Sequence, residues 1–129
     1  MRRLIFTDLD DTLFQSRAKC GSAGDLEPAA RVADGTWFSF STGRQRAFWR
    51  WLSEGATVIP VTGRSANALA RVARDFDAES VVQHGGLVLG PGGRVHPHWE
   101  RTFGDEAHGW TQRLESLAVD LKAALPGHR

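Results

Sequence analysis

The chain has 129 residues, enough for one domain with a real core and too few for two. Sixteen basic side chains against fifteen acidic ones leave a formal charge of +1, which excludes a field strong enough to recruit nucleic acid nonspecifically. The single cysteine, Cys20, excludes an internal disulfide and a thiolate zinc site, and fits a reducing compartment.

Leu4, Ile5 and Phe6 are too short an apolar run for a signal peptide, and no stretch has the length needed to span a bilayer. The expectation is a soluble cytoplasmic protein with no membrane partner. From Leu4 to Leu9 the run ends in acids and has the length of a buried parallel strand. Residues 15–35 then turn to Ser, Ala, Gly, Asp and Pro without periodicity. This reads as a long loop or flap, set within a flap region at 13–40.

Ser41 or Thr42 can cap a helix that runs to Ser53 and stops at Gly55, with Phe48, Trp51 and Leu52 as its buried stripe. The other tryptophans, Trp37, Trp49, Trp99 and Trp110, have no assigned side. Thr57–Val61 reads as the second strand, with Pro60 near its end because proline removes a ladder donor. Ser65 can cap a helix reaching Phe76, and Ser80–Gln83 is the third strand. Leu87–Leu89 and Arg94-Val95 flank Gly90-Pro-Gly-Gly93 as a hairpin. A last helix runs from Asp105 to Leu125, with Leu114, Leu117, Leu121 and Leu125 on one side and Pro126-Gly127 closing it. The order implies an α/β fold: a parallel sheet with right-handed crossovers, a β-hairpin and a C-terminal helix. Ligands bind such sheets at the carboxyl ends of the strands, where Asp8 and Thr62 fall.

Asp8 and Asp10 are two residues apart, so they project to the same side of an extended chain. Crowded carboxylates repel unless a cation or proton sits between them, and a hard cation such as Mg²⁺ satisfies the pair and can also hold a substrate phosphate. One carboxylate can then attack phosphorus while the other protonates the leaving oxygen. The Thr62 hydroxyl and the backbone amides of Gly63 and Arg64 would bind a phosphate oxygen. Arg64 is balanced between binding substrate and anchoring the turn by pairing with a nearby acid. Asp11 should point away from the pair and serve structure or substrate specificity rather than catalysis. His84, His96 and His98, with Glu100 nearby, have no spacing that matches a metal motif.

Phe6-Thr-Asp-Leu-Asp-Asp-Thr-Leu13 resembles the first motif, DxDxT, of the haloacid dehalogenase superfamily, and Val58-Ile-Pro-Val-Thr-Gly-Arg64 resembles its second. Val81-Val-Gln-His-Gly-Gly-Leu-Val-Leu89 is similar to the third strand of its sugar-phosphatase branch, to which Cof-like and sucrose-phosphate phosphatase-like proteins belong. There His84-Gly85 stands where an Asn-Gly pair is common. The resemblance covers roughly residues 3 to 95 and implies a Rossmannoid three-layer core. It implies Asp8 as nucleophile, Asp10 as general acid and base, and phosphate binding by Thr62, Gly63 and Arg64. Mg²⁺ would be held by Asp8 and the Asp10 carbonyl. The substrate implied is a small phosphorylated metabolite such as a sugar phosphate, hydrolysed through an aspartyl phosphate.

The family's third-motif lysine and fourth-motif acids have no match. Beyond Arg64 the only lysine is Lys122, inside the last helix, and Gly104-Asp105-Glu106 reads as a helix start. The expectation is therefore a partial core domain over 1–129, with a C-terminal part or second chain completing the site. The rival readings are a phosphomutase of the same superfamily and a non-catalytic binding module. A glycosyltransferase using its own DxD leaves Thr12 and Thr62-Gly-Arg64 unexplained.

Overall fold

The computed structural model describes residues 3–125. In chain order they form β1 (Arg3–Thr7), β2 (Gln15–Ser16), a 3₁₀ turn (Arg17–Cys20), β3 (Leu26–Arg31), β4 (Trp37–Thr42), α1 (Gly43–Ser53), β5 (Ala56–Pro60) and α2 (Ala66–Leu69). β6 (Ser80–Val82), a second 3₁₀ turn (Gln83–Gly85), β7 (Leu87–Leu89) and α3 (Pro97–Ala124) follow. Residues up to His96 make one compact unit and those from Pro97 another.

The parallel pairing expected from the apolar runs is present. β1 lies parallel to β5 in a register running from Arg3 opposite Ala56 to Thr7 opposite Pro60. Pro60, having no N–H to give, occupies the last position of its strand, and the Val61 amide donates to the Thr7 carbonyl at 2.8 Å instead. A parallel bridge from Val61 to Val81 carries the pairing on towards β6, and β7 folds back antiparallel on β6. The glycine-rich turn also forms as expected, with the Gly90 amide donating to the Arg94 carbonyl at 2.8 Å and Leu89 bridged to Val95.

The segment expected as a long loop or flap instead contributes strands: β2, β4 and β3 form a three-stranded antiparallel sheet in that order. Its polarity is inverted, which is why the alternation was invisible. β4 buries Ser39 and Ser41 and leaves Phe38 56% exposed. The buried Ser41 hydroxyl is satisfied by donating to the Leu13 carbonyl at 3.2 Å, so a serine can occupy the inner face at little cost. In β3, Pro28 sits beside a register shift, where a missing donor is tolerated.

Thr42 caps α1 through a capping box: the Gln45 amide donates to the Thr42 hydroxyl at 3.3 Å and the Thr42 amide to the Gln45 side chain at 3.0 Å. The expected stripe is only partly correct. Leu52 is buried, but Trp51 is 68% exposed and stacks on Phe48, which is also exposed, at 39%. The inward aromatic is Trp49, which meets Phe76 edge-on at 5.9 Å while the Arg74 guanidinium lies 4.1 Å over its ring. Arg74 is half-buried, and that burial pushes its pKa down, partly opposed by the charge of Glu27.

α2 is a single turn capped by the Ser65 hydroxyl, not the helix to Phe76 that the small residues suggested. Past Leu69 the chain is captured by the backbone of β3: the Ala73 amide donates to the Ala29 carbonyl at 2.7 Å and the Arg31 amide to the Arg71 carbonyl at 3.1 Å. Those ladder bonds replace the helical ones. The core of this unit gathers Leu9, Leu13, Phe14, Ala29, Ala30, Leu52, Val58 and Val72.

In the second unit α3 starts at Pro97, eight residues before the expected start, since proline at the first helical position lacks only an N–H the helix would not use. Gly104-Asp105-Glu106 therefore lies within the helix rather than at its start, and Trp110, Leu114, Leu117 and Leu121 are exposed. The Pro126-Gly127 stop lies outside the described residues. Among the described residues no helix is long and apolar enough to cross a membrane.

Candidate active site

The pairing of Thr7 with Pro60 sets the carboxyl ends of β1 and β5 side by side, so the two motif loops leave the sheet together. In the first loop Leu9 is fully buried, and its neighbours Asp8 and Asp10 are exposed, as the alternation of an extended chain requires. The Asp8 carboxylate accepts from the Leu9 amide at 2.7 Å. The chain then doubles back on itself. The Leu13 amide donates to the Leu9 carbonyl at 2.9 Å and the Asp11 amide to the Phe14 carbonyl at 2.8 Å.

Asp11 takes the left-handed position of this reversal, φ 60°, which an aspartate tolerates better than most side chains. Its carboxylate pairs with Lys19 at 2.6 Å. Both are structural roles.

The second loop faces the first through Arg64. Its Nε and Nη2 each donate to one oxygen of Asp10 at 2.8 Å, a two-pronged pair. The guanidinium also lies 5.1 Å from the Phe14 ring and donates to the Ala68 carbonyl at 3.4 Å. Of the two roles open to Arg64 in the sequence, the anchoring one is present. Thr62 is buried, its amide donating to the Val81 carbonyl at 2.9 Å and its hydroxyl oxygen accepting from the Arg64 amide at 3.1 Å. The Arg64 amide is thus used inside the turn, leaving the Thr62 hydroxyl proton and the Gly63 amide as its donors for a ligand. Because α2 has only one turn, it adds no appreciable helix dipole there.

The neighbouring 3₁₀ turn closes over this loop. The Gln83 amide donates to the Arg64 carbonyl at 2.8 Å and the His84 amide to the Thr62 carbonyl at 3.2 Å, and the His84 ring rests on Gly63. Sequence reasoning did not place His84 here. The signal available was the Gly85-Gly86 pair, which marks a tight reversal directly after β6.

Among the described residues, no group of three or more His, Cys, Asp or Glu side chains is placed to hold a metal ion, so His84, His96, His98 and Glu100 form no such centre. Mg²⁺ does not need an all-protein cage; it binds through one or two carboxylates, waters and substrate phosphate. The exposed Asp8 carboxylate and the Asp10 main-chain carbonyl are a donor set of that kind, while the Asp10 carboxylate is engaged by Arg64. Lys122 and the acids Asp105 and Glu106 belong to α3, in the second unit. A groove of about 600 Å³, lined by Ala66, Leu69, Ala78, Leu89 and Gly92 among others, includes none of Asp8, Asp10, Thr62, Gly63 or Arg64.

No protein-family model matches the chain, and no curated protein matches it. The functional reading therefore stands on the two motif loops and their geometry.

Proposed function

We propose that the chain carries the nucleophile half of a Mg²⁺-dependent phosphomonoesterase of haloacid dehalogenase type, acting on a small phosphorylated metabolite such as a sugar phosphate. The observation that carries this reading is the Asp10–Arg64 pair, which ties the DxDxT loop to the Thr-Gly-Arg loop across adjacent parallel strand ends. On this reading an Asp8 oxygen attacks phosphorus and the ester oxygen leaves with a proton from Asp10. Water then attacks the aspartyl phosphate, giving its proton to Asp10 and releasing inorganic phosphate and the Asp8 carboxylate. Arg64 holds the Asp10 carboxylate between proton transfers and must release one of its oxygens for that carboxyl to carry a proton, and the Thr62 hydroxyl and Gly63 amide bind the non-bridging oxygens. Mg²⁺, bound by Asp8 and the Asp10 carbonyl, would offset the charge of the phosphate.

We also propose that the small parallel sheet belongs to a three-layer Rossmannoid core whose remaining strands, with a lysine and further acids, come from a C-terminal segment or a second chain. Among the described residues β1 pairs on one side only, and Leu4 and Phe6 on it are 57% and 63% exposed. Parallel strands are ordinarily covered on both faces.

The test is p-nitrophenyl phosphate hydrolysis with and without Mg²⁺, by this chain, by Asp8→Asn, and by a longer frame or mixture that supplies the completing segment. Turnover that needs both Mg²⁺ and Asp8 is expected, and it should rise with the added segment. Equal turnover in Asp8→Asn removes the nucleophile. The engagement of both Asp10 oxygens by Arg64 favours one second reading, a phosphate-binding module without turnover. Saturable phosphate binding with no hydrolysis under any of these conditions would select it.

A further inference from the structure

We propose that His84 is a phosphate-contacting residue of this site, its imidazole acting as a hydrogen-bond donor beside the Gly63 amide. This rests on the phosphate-binding reading of the Thr62-Gly63-Arg64 turn. The first observation is backbone strain. Gln83 and His84 are consecutive and both left-handed, φ 54° and 55°. Side chains other than glycine are strained in that conformation, and such outliers persist only where surrounding bonds hold them. Here the holding bonds are the two that clamp residues 83 and 84 to the carbonyls of Arg64 and Thr62, at 2.8 and 3.2 Å. The strained pair is fastened to the very turn that offers the phosphate donors.

The second observation is where the ring goes. A methyl group built on Gly63 would stand 2.7 Å from Nε2 and 2.9 Å from Nδ1 of His84, closer than atoms approach without displacement. The imidazole therefore lies flat against a residue that has no side chain to keep it away. Burial does not explain the arrangement, because His84 and Gly63 are both exposed. A glycine at position 84 would make the same reversal without the steric cost. What histidine adds is a ring N–H at the mouth of the turn, one when neutral and two when charged.

The third consideration is charge. A phosphate dianion at this turn meets one guanidinium, Arg64, whose Nε and Nη2 are already engaged with Asp10. A further donor from His84 would meet an oxygen that the Thr62 hydroxyl and Gly63 amide leave unmatched.

Inorganic phosphate titrations, followed by amide and imidazole NMR with and without Mg²⁺, test this on the whole chain. In the wild type the Gly63 and Arg64 amides and the His84 ring protons should shift together with one dissociation constant. His84→Gly, which relaxes the turn and keeps its backbone bonds, should weaken binding roughly tenfold, the range of one charge-assisted hydrogen bond. Gly63→Ala should push the flexible ring aside and weaken binding similarly. Adding Gly63→Ala to His84→Gly should cost little more, since the methyl then has room. Amides that shift while His84→Gly binds as tightly as wild type overturn the inference and spare the phosphate reading. Amides that do not shift at all overturn both.

Discussion

At the scale of single residues, the ion pairs made by two adjacent acids of the same loop have unequal worth. Asp10 and Arg64 meet through two parallel bonds, with the Arg64 side chain only 17% exposed, whereas Asp11 and Lys19 meet through one bond with both side chains more than half exposed. A two-pronged, partly desolvated pair contributes more than a solvated one, whose coupling falls to about 0–1 kcal/mol. Double-mutant cycles by urea unfolding, with Asp10→Ala and Arg64→Met against Asp11→Ala and Lys19→Met, should give about 1 kcal/mol for the first pair and near zero for the second. Arg64→Lys should lose most of the first value, because a single ammonium cannot reproduce the fork. Equal couplings would mean that the two loops are not joined at Arg64. The sequence placed both residues at strand ends but left the partner of Arg64 open. Which acid lies nearest depends on the tight reversal after Asp10, a feature of backbone geometry that no residue spacing displays.

At the scale of elements, the β3–β4 connection shows what carries a hairpin whose inward residues are alanines on β3 and serines on β4. Its turn is held by the Val32 amide donating to the Thr36 carbonyl at 3.0 Å and the Thr36 amide donating to the Asp34 carboxylate at 2.8 Å, with Gly35 at φ 88°. The Thr36 backbone and hydroxyl bonds hold the Asp34 carboxyl below its usual pKa. A depressed folded value means that this contribution is present at neutral pH and is lost as pH falls through the folded pKa. An NMR titration should show the Asp34 carboxyl and the Thr36 amide moving together, with a midpoint below the ordinary aspartate value. Asp34→Asn should abolish the pH response of the amide while keeping an acceptor oxygen. A Thr36 amide indifferent to acid would disprove the linkage. The elements legible in the sequence were those with a one-sided apolar signature or a cap: β1, β5, β6 and the start of α1. The antiparallel sheet escaped because Ser39 and Ser41 face inward, the Ser41 hydroxyl bonded to the Leu13 carbonyl, and α2 was overestimated because the β3 edge competes for residues 71–73.

At the scale of the whole first unit, the core and the candidate site share a loop. Leu9, Leu13 and Phe14 are among the most buried large side chains; Leu9 sits between the two acids of the motif and Leu13-Phe14 directly follow its threonine, so the residues that anchor the loop are those that aim it. The apolar run from Leu4 to Leu9 reads as uniformly buried, yet Leu4 is 57% exposed and Leu9 fully enclosed. Truncating a buried leucine removes its transfer energy and leaves a cavity, about 2–5 kcal/mol, while truncating one already half in water costs about 1 kcal/mol or less. For a unit of this size, each kcal/mol moves the melting temperature by roughly 4–8 °C. Leu13→Ala should therefore lower the melting temperature by about 10 °C or more, and Leu4→Ala by a few degrees at most. If the segment proposed to complete the sheet is added, the order should change. A completed three-layer core would also cover the face of β1 that carries Leu4 and Phe6, and Leu4→Ala should then approach the cost of Leu13→Ala. A Leu4→Ala penalty that stays small with the segment present would place the segment elsewhere on the molecule, and with it the lysine and acids that the site is proposed to borrow.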